Sequence, residues 1–309
     1  MKIAWFTEGG WNGKIPRNYE GMRNDSAWMC ILNATHFPIN QIPQIEEKFD
    51  LGIVTIPKNN IDVLSSYPLI EKLRNCCKKI AYMQEGPHWY FQDYPLNQQI
   101  WFYNTLSEMD FLFVHNESDK KYYKGLVNKE CRLMPTLMIE DLIKDLPQIE
   151  RSNIMIGGNF CSWYGGFDSY LVAQELSCKT FIPTMGRKIE GEEQMDNLNH
   201  LPYMNWVTWI KNLNQFKYGI HLMRTHAAGT FALNCAYLGI PCIGYKGLDT
   251  QEICHPDLTI SLGDLESAKK LITLLEKDQE FYNNCSSKSK NNYTRYFKEE
   301  IFKKNLNLN

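Results

Sequence analysis

Three stretches of this chain hold residues that could do chemistry. The first is Gln84-Glu85-Gly86-Pro87-His88-Trp89. Glu85 directly follows an apolar run, at what reads as the carboxyl end of a strand. A carboxylate partly shielded by Trp89 and Tyr90 would have a raised pKa and could take a proton from a hydroxyl. His88 is the alternative base, or a partner to Glu85; a Glu that only caps the next turn is the plain reading. The second stretch is His221 to Cys254, with a glycine turn at Gly229, an apolar helix after it, and Gly239-Ile240-Pro241 leading to a short strand. A helix opening after glycine aims free N–H groups at an anion such as phosphate. The third, Ile156-Gly157-Gly158-Asn159-Phe160, repeats that design, with Asn159 and Ser162 as small polar groups beside amides a phosphate could approach. A glycine turn serving chain reversal alone is the competing reading for both.

Other candidates surround these three. Arg224, Arg187 and Lys246 are cations suited to a diphosphate. His226 precedes the glycine-bearing helix start at Gly229 and Thr230. Asp249, Thr250 and Glu252 follow the Pro241–Tyr245 strand, where ligands bind in open α/β sheets. The loop Thr7–Asn18 carries Gly9, Gly10 and Gly13 beside Trp11, and reads as an acceptor-side or sugar-facing loop. It lacks the G-x-G-x-x-G spacing of a dinucleotide fingerprint. No D-x-D pair or cluster of His, Asp and Glu suggests a metal site, so no divalent ion is expected to be essential.

The elements needed to hold these residues are legible as alternating strands and helices. In the first half, strands are expected at Lys2–Phe6, Asp50–Ile56, Lys79–Gln84, Phe111–His115 and Arg132–Met138. Helices are expected at Asp25–Asn33 with Asp25 as N-cap, from Asn60 or Asp62 to Cys77 (apolar at Val63, Leu64, Ile70 and Leu73), at Leu96–Glu108 and from Ser118. The second half repeats the pattern: strands at Ile154–Gly157, Lys179–Pro183, Phe216–Leu222 and Pro241–Tyr245, helices at Asp168–Leu176, Phe231–Leu238 and Asp264–Leu275, and a turn at Met185–Lys188. Polar loop is expected from Lys246 to Cys254. The fold class is therefore α/β, two Rossmann-like domains facing a cleft. The expected limits are 1–148 for the first domain and 149–285 for the second. Residues 286–309 form a C-terminal helix returning to the first domain.

Composition narrows the function classes. At 309 residues two domains are the default, and 44% hydrophobic with 22% charged residues describes a folded chain. No apolar run approaches a bilayer span, and Met1–Trp11 lacks a signal-peptide core, so a cytoplasmic protein without membrane insertion is expected (host cytoplasm if viral). The ten cysteines have no zinc-like spacing and read as reduced core residues. A net charge of −2 excludes a globally basic nucleic-acid binder and leaves only a local basic groove.

The two-domain order, the Gly157-Gly158 loop and the block Ala228–Ile253 resemble GT-B glycosyltransferases, which use nucleotide sugars. This resemblance makes 1–148 the acceptor-side domain and 149–285 the nucleotide-sugar domain; many such enzymes place two carboxylates, with seven residues between them, before a G-x-P turn, the second holding the donor ribose. Those places here are His226 and Asn234, and Asn234 can still hydrogen-bond a hydroxyl. The segments around Lys78–Gly86, Ile156–Gly166 and Leu248–Glu252 also resemble the phage DNA β-glucosyltransferases. That resemblance places the base at Glu85 and the diphosphate loop at Gly157, Gly158, Asn159 and Phe160. Arginines expected after that loop are absent.

Together these readings predict transfer of a sugar from a nucleotide sugar, a UDP-sugar by expectation, to an acceptor hydroxyl, with inversion. The acceptor is a hydroxymethylated pyrimidine in phage DNA or, alternatively, a glycan or lipid-linked sugar. Trp11, Trp89, Tyr90 and Phe91 would receive a flipped base by stacking, or serve as a sugar platform or core. A non-catalytic nucleotide- or sugar-binding protein is the rival from another class, and a nucleotide-sugar epimerase a third possibility.

Overall fold

The computed structural model describes residues 1–8, 11–58, 61–184 and 188–306, the side chains of 43 and 44 excepted. Gly9, Gly10, Asn60 and the turn residues 185–187, Arg187 among them, lie outside the described residues. The first half contains β1 (Ile3–Thr7), β2 (Gly13–Lys14), α1 (Asn24–Ile31), β3 (Thr35–Pro38), β4 (Phe49–Thr55), α2 (Ile61–Ser65), α3 (Leu69–Cys76), β5 (Cys77–Met83), α4 (Leu96–Glu108), β6 (Phe111–Val114), α5 (Glu117–Val127) and β7 (Cys131–Leu133). Its sheet runs β2-β3-β1-β4-β5-β6-β7, parallel throughout except where β2 meets β3.

The second half contains β8 (Ser152–Ile156), α6 (Gly166–Ala173), β9 (Thr180–Pro183), β10 (Leu198–Leu201), α7 (Trp206–Leu213), β11 (Phe216–His221), α8 (Thr230–Leu238), β12 (Cys242–Tyr245), α9 (Asp249–Cys254), β13 (Thr259–Ile260), α10 (Leu265–Lys277), α11 (Gln279–Tyr296) and α12 (Glu299–Leu306). Its parallel sheet runs β10-β9-β8-β11-β12-β13. Two Rossmann-like sheets result, as the alternation predicts.

Both faces of each sheet are covered, and the two-residue period of a strand shows how. Along β1, Ile3 and Trp5 join one core while Ala4 and Phe6 join the other; along β5, Ala81 and Met83 separate in the same way from Ile80 and Tyr82. The core holding Trp5, Trp28 and Met83 continues into Trp206, Phe231, Tyr293 and Phe302. The two sheets therefore share one apolar body. All ten cysteines are free.

Several local expectations are corrected. Arg23, extended at φ −91° and ψ 172°, caps α1, and Asp25 lies inside the first turn. The helix expected from residue 60 or 62 to Cys77 is two helices, because Pro68 cannot continue a helix and starts the next one. Val63, taken as apolar anchoring, is 70% exposed. The Arg132–Met138 strand shortens to Cys131–Leu133, just ahead of Pro135, whose carbonyl accepts the Trp28 indole N–H at 2.8 Å. The polar segment after β12 is not a loop but contains α9. The short strands β2, β3, β10 and β13 have too little apolar periodicity to be read from sequence, whereas α7, missed as well, carries a helical signal in Trp206, Val207, Ile210 and Leu213, all buried on one face.

Candidate active site

The carboxyl ends of the two sheets meet around a cavity of about 360 Å³. Gly86 after β5, His115 after β6, and Arg23 and Asn24 at the start of α1 line it from the first half. Gly157 after β8, His221 at the end of β11, and Gly229, Thr230 and Asn234 of α8 line it from the second. Hydrogen bonds cross beside it. Asn24 Oδ1 accepts from Thr136 Oγ1 at 2.7 Å and from Thr230 Oγ1 at 3.1 Å. Asn116 Nδ2 donates to the Ala227 carbonyl at 3.3 Å, and the Glu117 amide to Asp249 Oδ2 at 3.1 Å.

Glu85 sits half-buried just past β5, its Oε2 accepting the Lys58 amide at 2.8 Å. Withdrawal from water pushes its carboxyl up to about 7; the Lys58 hydrogen bond opposes this, and the Glu8 and Asp25 charges add to it. Asp25 is raised to about 6, by burial first and then by Glu8. Three carboxylates thus converge where β1 and β5 end and α1 begins, and Glu85 changes protonation near neutral pH.

His88 is held from behind. Its Nδ1 lies 3.0 Å from Oδ1 of Asp119, a fully buried carboxylate, and its ring stacks on Tyr122 at 4.2 Å. Asp119 Oδ2 accepts from Gln84 Nε2 at 2.9 Å and Asn116 Nδ2 at 2.8 Å. Gln84 Nε2 also donates to the Gly86 carbonyl at 2.8 Å, which ties the loop to the same network. Gly86 itself has φ +58°, with the Tyr90 ring against it. A His whose Nδ1 faces a carboxylate leaves Nε2 for a substrate proton.

On the opposite wall, the glycines have packing reasons. A Cβ on Gly157 would come within 2.4 Å of the Phe231 ring and 2.7 Å of His221; one on Gly158 would meet Tyr164 at 2.8 Å. At Gly229, φ is +70° and a Cβ would lie 2.1 Å from Thr250 Oγ1, which donates to the Gly229 carbonyl at 2.9 Å. The bare turn leaves the first amides of α8 beside the cavity. Asn234, 2% exposed, is oriented by its neighbours: its oxygen accepts the Trp209 indole N–H at 3.0 Å and its nitrogen donates to the Thr230 carbonyl at 3.2 Å. Burial lowers both His115 and His221 to about 4, so both rings are neutral at pH 7.

The structure thus gathers Gly157, Gly229, Thr230 and Asn234 around one cavity, with Gly86 across from them; Glu85 and His88 flank that glycine but are not among the residues lining the cavity. It places other candidates elsewhere. Arg224 pairs with Asp168 at 2.6 Å and does not line the cavity. His226 lies over Gly247, whose missing Cβ would sit 2.0 Å from its Nε2. Glu252 accepts the Gly247 amide at 2.7 Å and so closes its own turn. Asp249 is occupied by Glu117, and burial raises it to about 6. Asn159 Oδ1 accepts the Cys161 amide at 3.1 Å while its buried Nδ2 has no partner among the described residues; Ser162 is exposed on the same turn. Trp11 packs on Tyr19 at 5.0 Å, and Trp89 meets Tyr90 at 6.0 Å and Trp163 of the second half at 6.4 Å. Among the described residues no group of three or more His, Cys, Asp or Glu is placed to hold a metal ion, and no helix is long and apolar enough to cross a membrane.

Sequence reasoning missed Arg23, Asn24, His115, Asp119, Trp209 and His221. Two had a signal: His115 and His221 each close an apolar strand with a polar side chain, the position ligands favour. Asp119 was visible only as the third residue after the α5 N-cap Asn116, which accepts its amide at 2.9 Å.

No protein-family model and no curated protein sequence matches the chain. Solved structures do. Anabaena Alr3699/HepE in complex with UDP-glucose matches with a TM-score of 0.73 at 10% identity, over 99% of this chain and 98% of that one. Sucrose-phosphate synthase from Thermosynechococcus elongatus matches with a TM-score of 0.61 at 13% identity, over 82% of this chain and 71% of that one. The pneumococcal O-GlcNAc transferase GtfA in complex with UDP and GlcNAc matches with a TM-score of 0.60 at 10% identity, over 86% of this chain and 57% of that one. These likenesses show that the fold is GT-B.

Proposed function

We propose that the chain is a glycosyltransferase that moves a sugar from a nucleotide-sugar donor, a UDP-sugar by preference, to an acceptor hydroxyl. The observation that carries this reading is the cavity itself. One wall presents the N-terminus of α8 and side-chain-free Gly157, and the other carries Gly86, the residue between Glu85 and the Pro87-His88 turn. The similar structures supply the donor class, since their complexes contain UDP, UDP-glucose or UDP with GlcNAc.

In this reading the donor diphosphate lies against the first amides of α8, where the helix dipole stabilises the departing charge. Asn234 faces a ribose hydroxyl. Glu85 accepts the acceptor's hydroxyl proton, the freed oxygen bonds to the anomeric carbon, and the bond to the diphosphate oxygen breaks to release the nucleoside diphosphate. One such displacement inverts the anomeric centre. His88, braced by Asp119, is the second candidate base. The charge on the leaving group is met by helix amides, so a divalent ion is not required.

The test incubates the protein with UDP-sugars and three acceptors: oligosaccharides, hydroxymethylated duplex DNA and unmodified DNA. UDP release, product mass and product anomeric configuration are read together. Acceptor-dependent UDP release that fails with Glu85→Gln is expected. Nucleotide binding without turnover on any acceptor would instead favour a binding module. A mass shift on hydroxymethylated DNA alone would assign the DNA acceptor, and a retained configuration would remove Glu85 as base in a single displacement.

A further inference from the structure

A second cavity, of about 550 Å³, opens at the seam between the halves, and Arg23 lines both it and the first cavity. Its walls are aromatic. Trp11 and Tyr19 form a tilted pair 5.0 Å apart, with the Trp11 ring pinned by its indole N–H to the Lys14 carbonyl at 3.1 Å. Facing them from the second half is Tyr203, 71% exposed, an amphipathic ring of the type that binding surfaces favour. Arg23 lies 5.2 Å over that ring and donates to the Met204 carbonyl at 2.9 Å. Asn205 Nδ2 donates to Glu20 Oε2 at 2.8 Å, and the Val207 amide donates to the Glu20 carbonyl at 3.1 Å. The groove is thus held open by polar ties that join both halves.

Stacking rings edged by a carboxylate, an amide and a guanidinium suit a molecule with apolar C–H faces and hydroxyl rims. They suit a nucleic acid poorly. Among the described lining residues the one cation, Arg23, is balanced by Glu20, whereas phosphates call for a run of uncompensated cations. We propose that this groove binds a saccharide chain as the acceptor, stacked on Tyr203 and the Trp11–Tyr19 pair, with its terminal hydroxyl delivered past Arg23 into the donor cavity. This rests on the transferase reading for its role, but saccharide binding there can be measured without turnover.

The experiment is saturation-transfer NMR with linear oligosaccharides of glucose, galactose and N-acetylglucosamine, on wild type, Tyr203→Ala and Tyr203→Phe, with UDP binding measured in parallel. Tyr203 is so exposed that neither variant should disturb folding. Wild type and Tyr203→Phe should saturate the C–H protons of at least one saccharide. Tyr203→Ala should weaken that binding, and raise the acceptor KM in turnover, by about tenfold, with UDP affinity unchanged. No saccharide response in wild type, or an equal response in Tyr203→Ala, overturns the groove assignment. So does tighter, salt-sensitive binding of hydroxymethylated duplex DNA that is lost in Tyr203→Ala. If UDP-sugars bind and turn over while the saccharide arm is negative, only the groove falls; if saccharides bind and no UDP-sugar does, only the transferase reading falls.

Discussion

Water withdrawn from a carboxylate makes it a better base and a worse neighbour, and Glu85 shows both effects. With its carboxyl near 7 it is deprotonated, and able to accept a proton, only as pH rises through neutrality. kcat/KM should therefore fall below pH 7, and Glu85→Gln should lower kcat by about 10²–10⁴-fold with donor affinity retained. A fall of less than fivefold would transfer the role to His88. Stability follows the opposite sign. The raised pKa means that the native state holds its proton more tightly than the unfolded chain, so the stabilisation is complete below the unfolded value and is lost as pH rises through about 7. Glu85→Gln should accordingly melt higher than wild type at pH 8, and that advantage should shrink toward pH 5 in thermal scans. Asp119 is a fully buried carboxylate that keeps Gln84, Asn116 and His88 in place. Removing it strands three polar partners, so Asp119→Ala should cost about 3 kcal/mol in urea unfolding. A cost below 1 kcal/mol would mean that the network is not fixed by Asp119.

At the scale of elements, α8 is placed by a turn with no room for a side chain. The left-handed φ of Gly229 and the hydroxyl of Thr250 act together, so Gly229→Ala meets both backbone strain and a clash. It should destabilise the fold by about 2 kcal/mol and weaken UDP binding by about tenfold or more, because the displaced turn moves the α8 amides. Thr250→Ala removes the clash partner, so the double variant should recover part of both losses, a coupling that a cycle of chemical unfolding and titration would detect. Additive losses would argue against the contact. This pairing also shows where sequence reading stops. Gly229 was legible as a turn, but its need for glycine depends on a hydroxyl contributed by α9, a helix read as loop. Pro68 and Pro135 likewise cut elements that apolar periodicity alone would have run on.

At the scale of the molecule, the two sheets are joined by a common core and by α12. Arg17 pairs with Asp141 at 2.6 Å and with Glu299 of α12 at 2.7 Å, while Phe302 and Leu306 are 3% and 5% exposed. The ion pairs are exposed at one end and worth little; the two buried side chains contribute about 1.5–3 kcal/mol each. Ending the chain after Phe297 should therefore lower the melting temperature far more than Arg17→Ala does. Equal losses would make the ion pairs the stronger tie.

What the sequence determined by itself was periodicity and punctuation. Alternating strands and helices, glycine turns at Gly157 and Gly229, and a polar loop after β5 follow from local preference, and they are enough for two Rossmann-like sheets. Tertiary structure alone decided which polar groups are spoken for. Arg224 goes to Asp168 and Glu252 to the Gly247 amide, whereas His115 and Asn24 reach the cavity from segments that carry no motif. The physical reason is that a side chain's partners are set by what the fold brings within about 3 Å of it. Across two sheets those partners come from positions more than two hundred residues apart, as Asn24 and Thr230 do at a separation of 206.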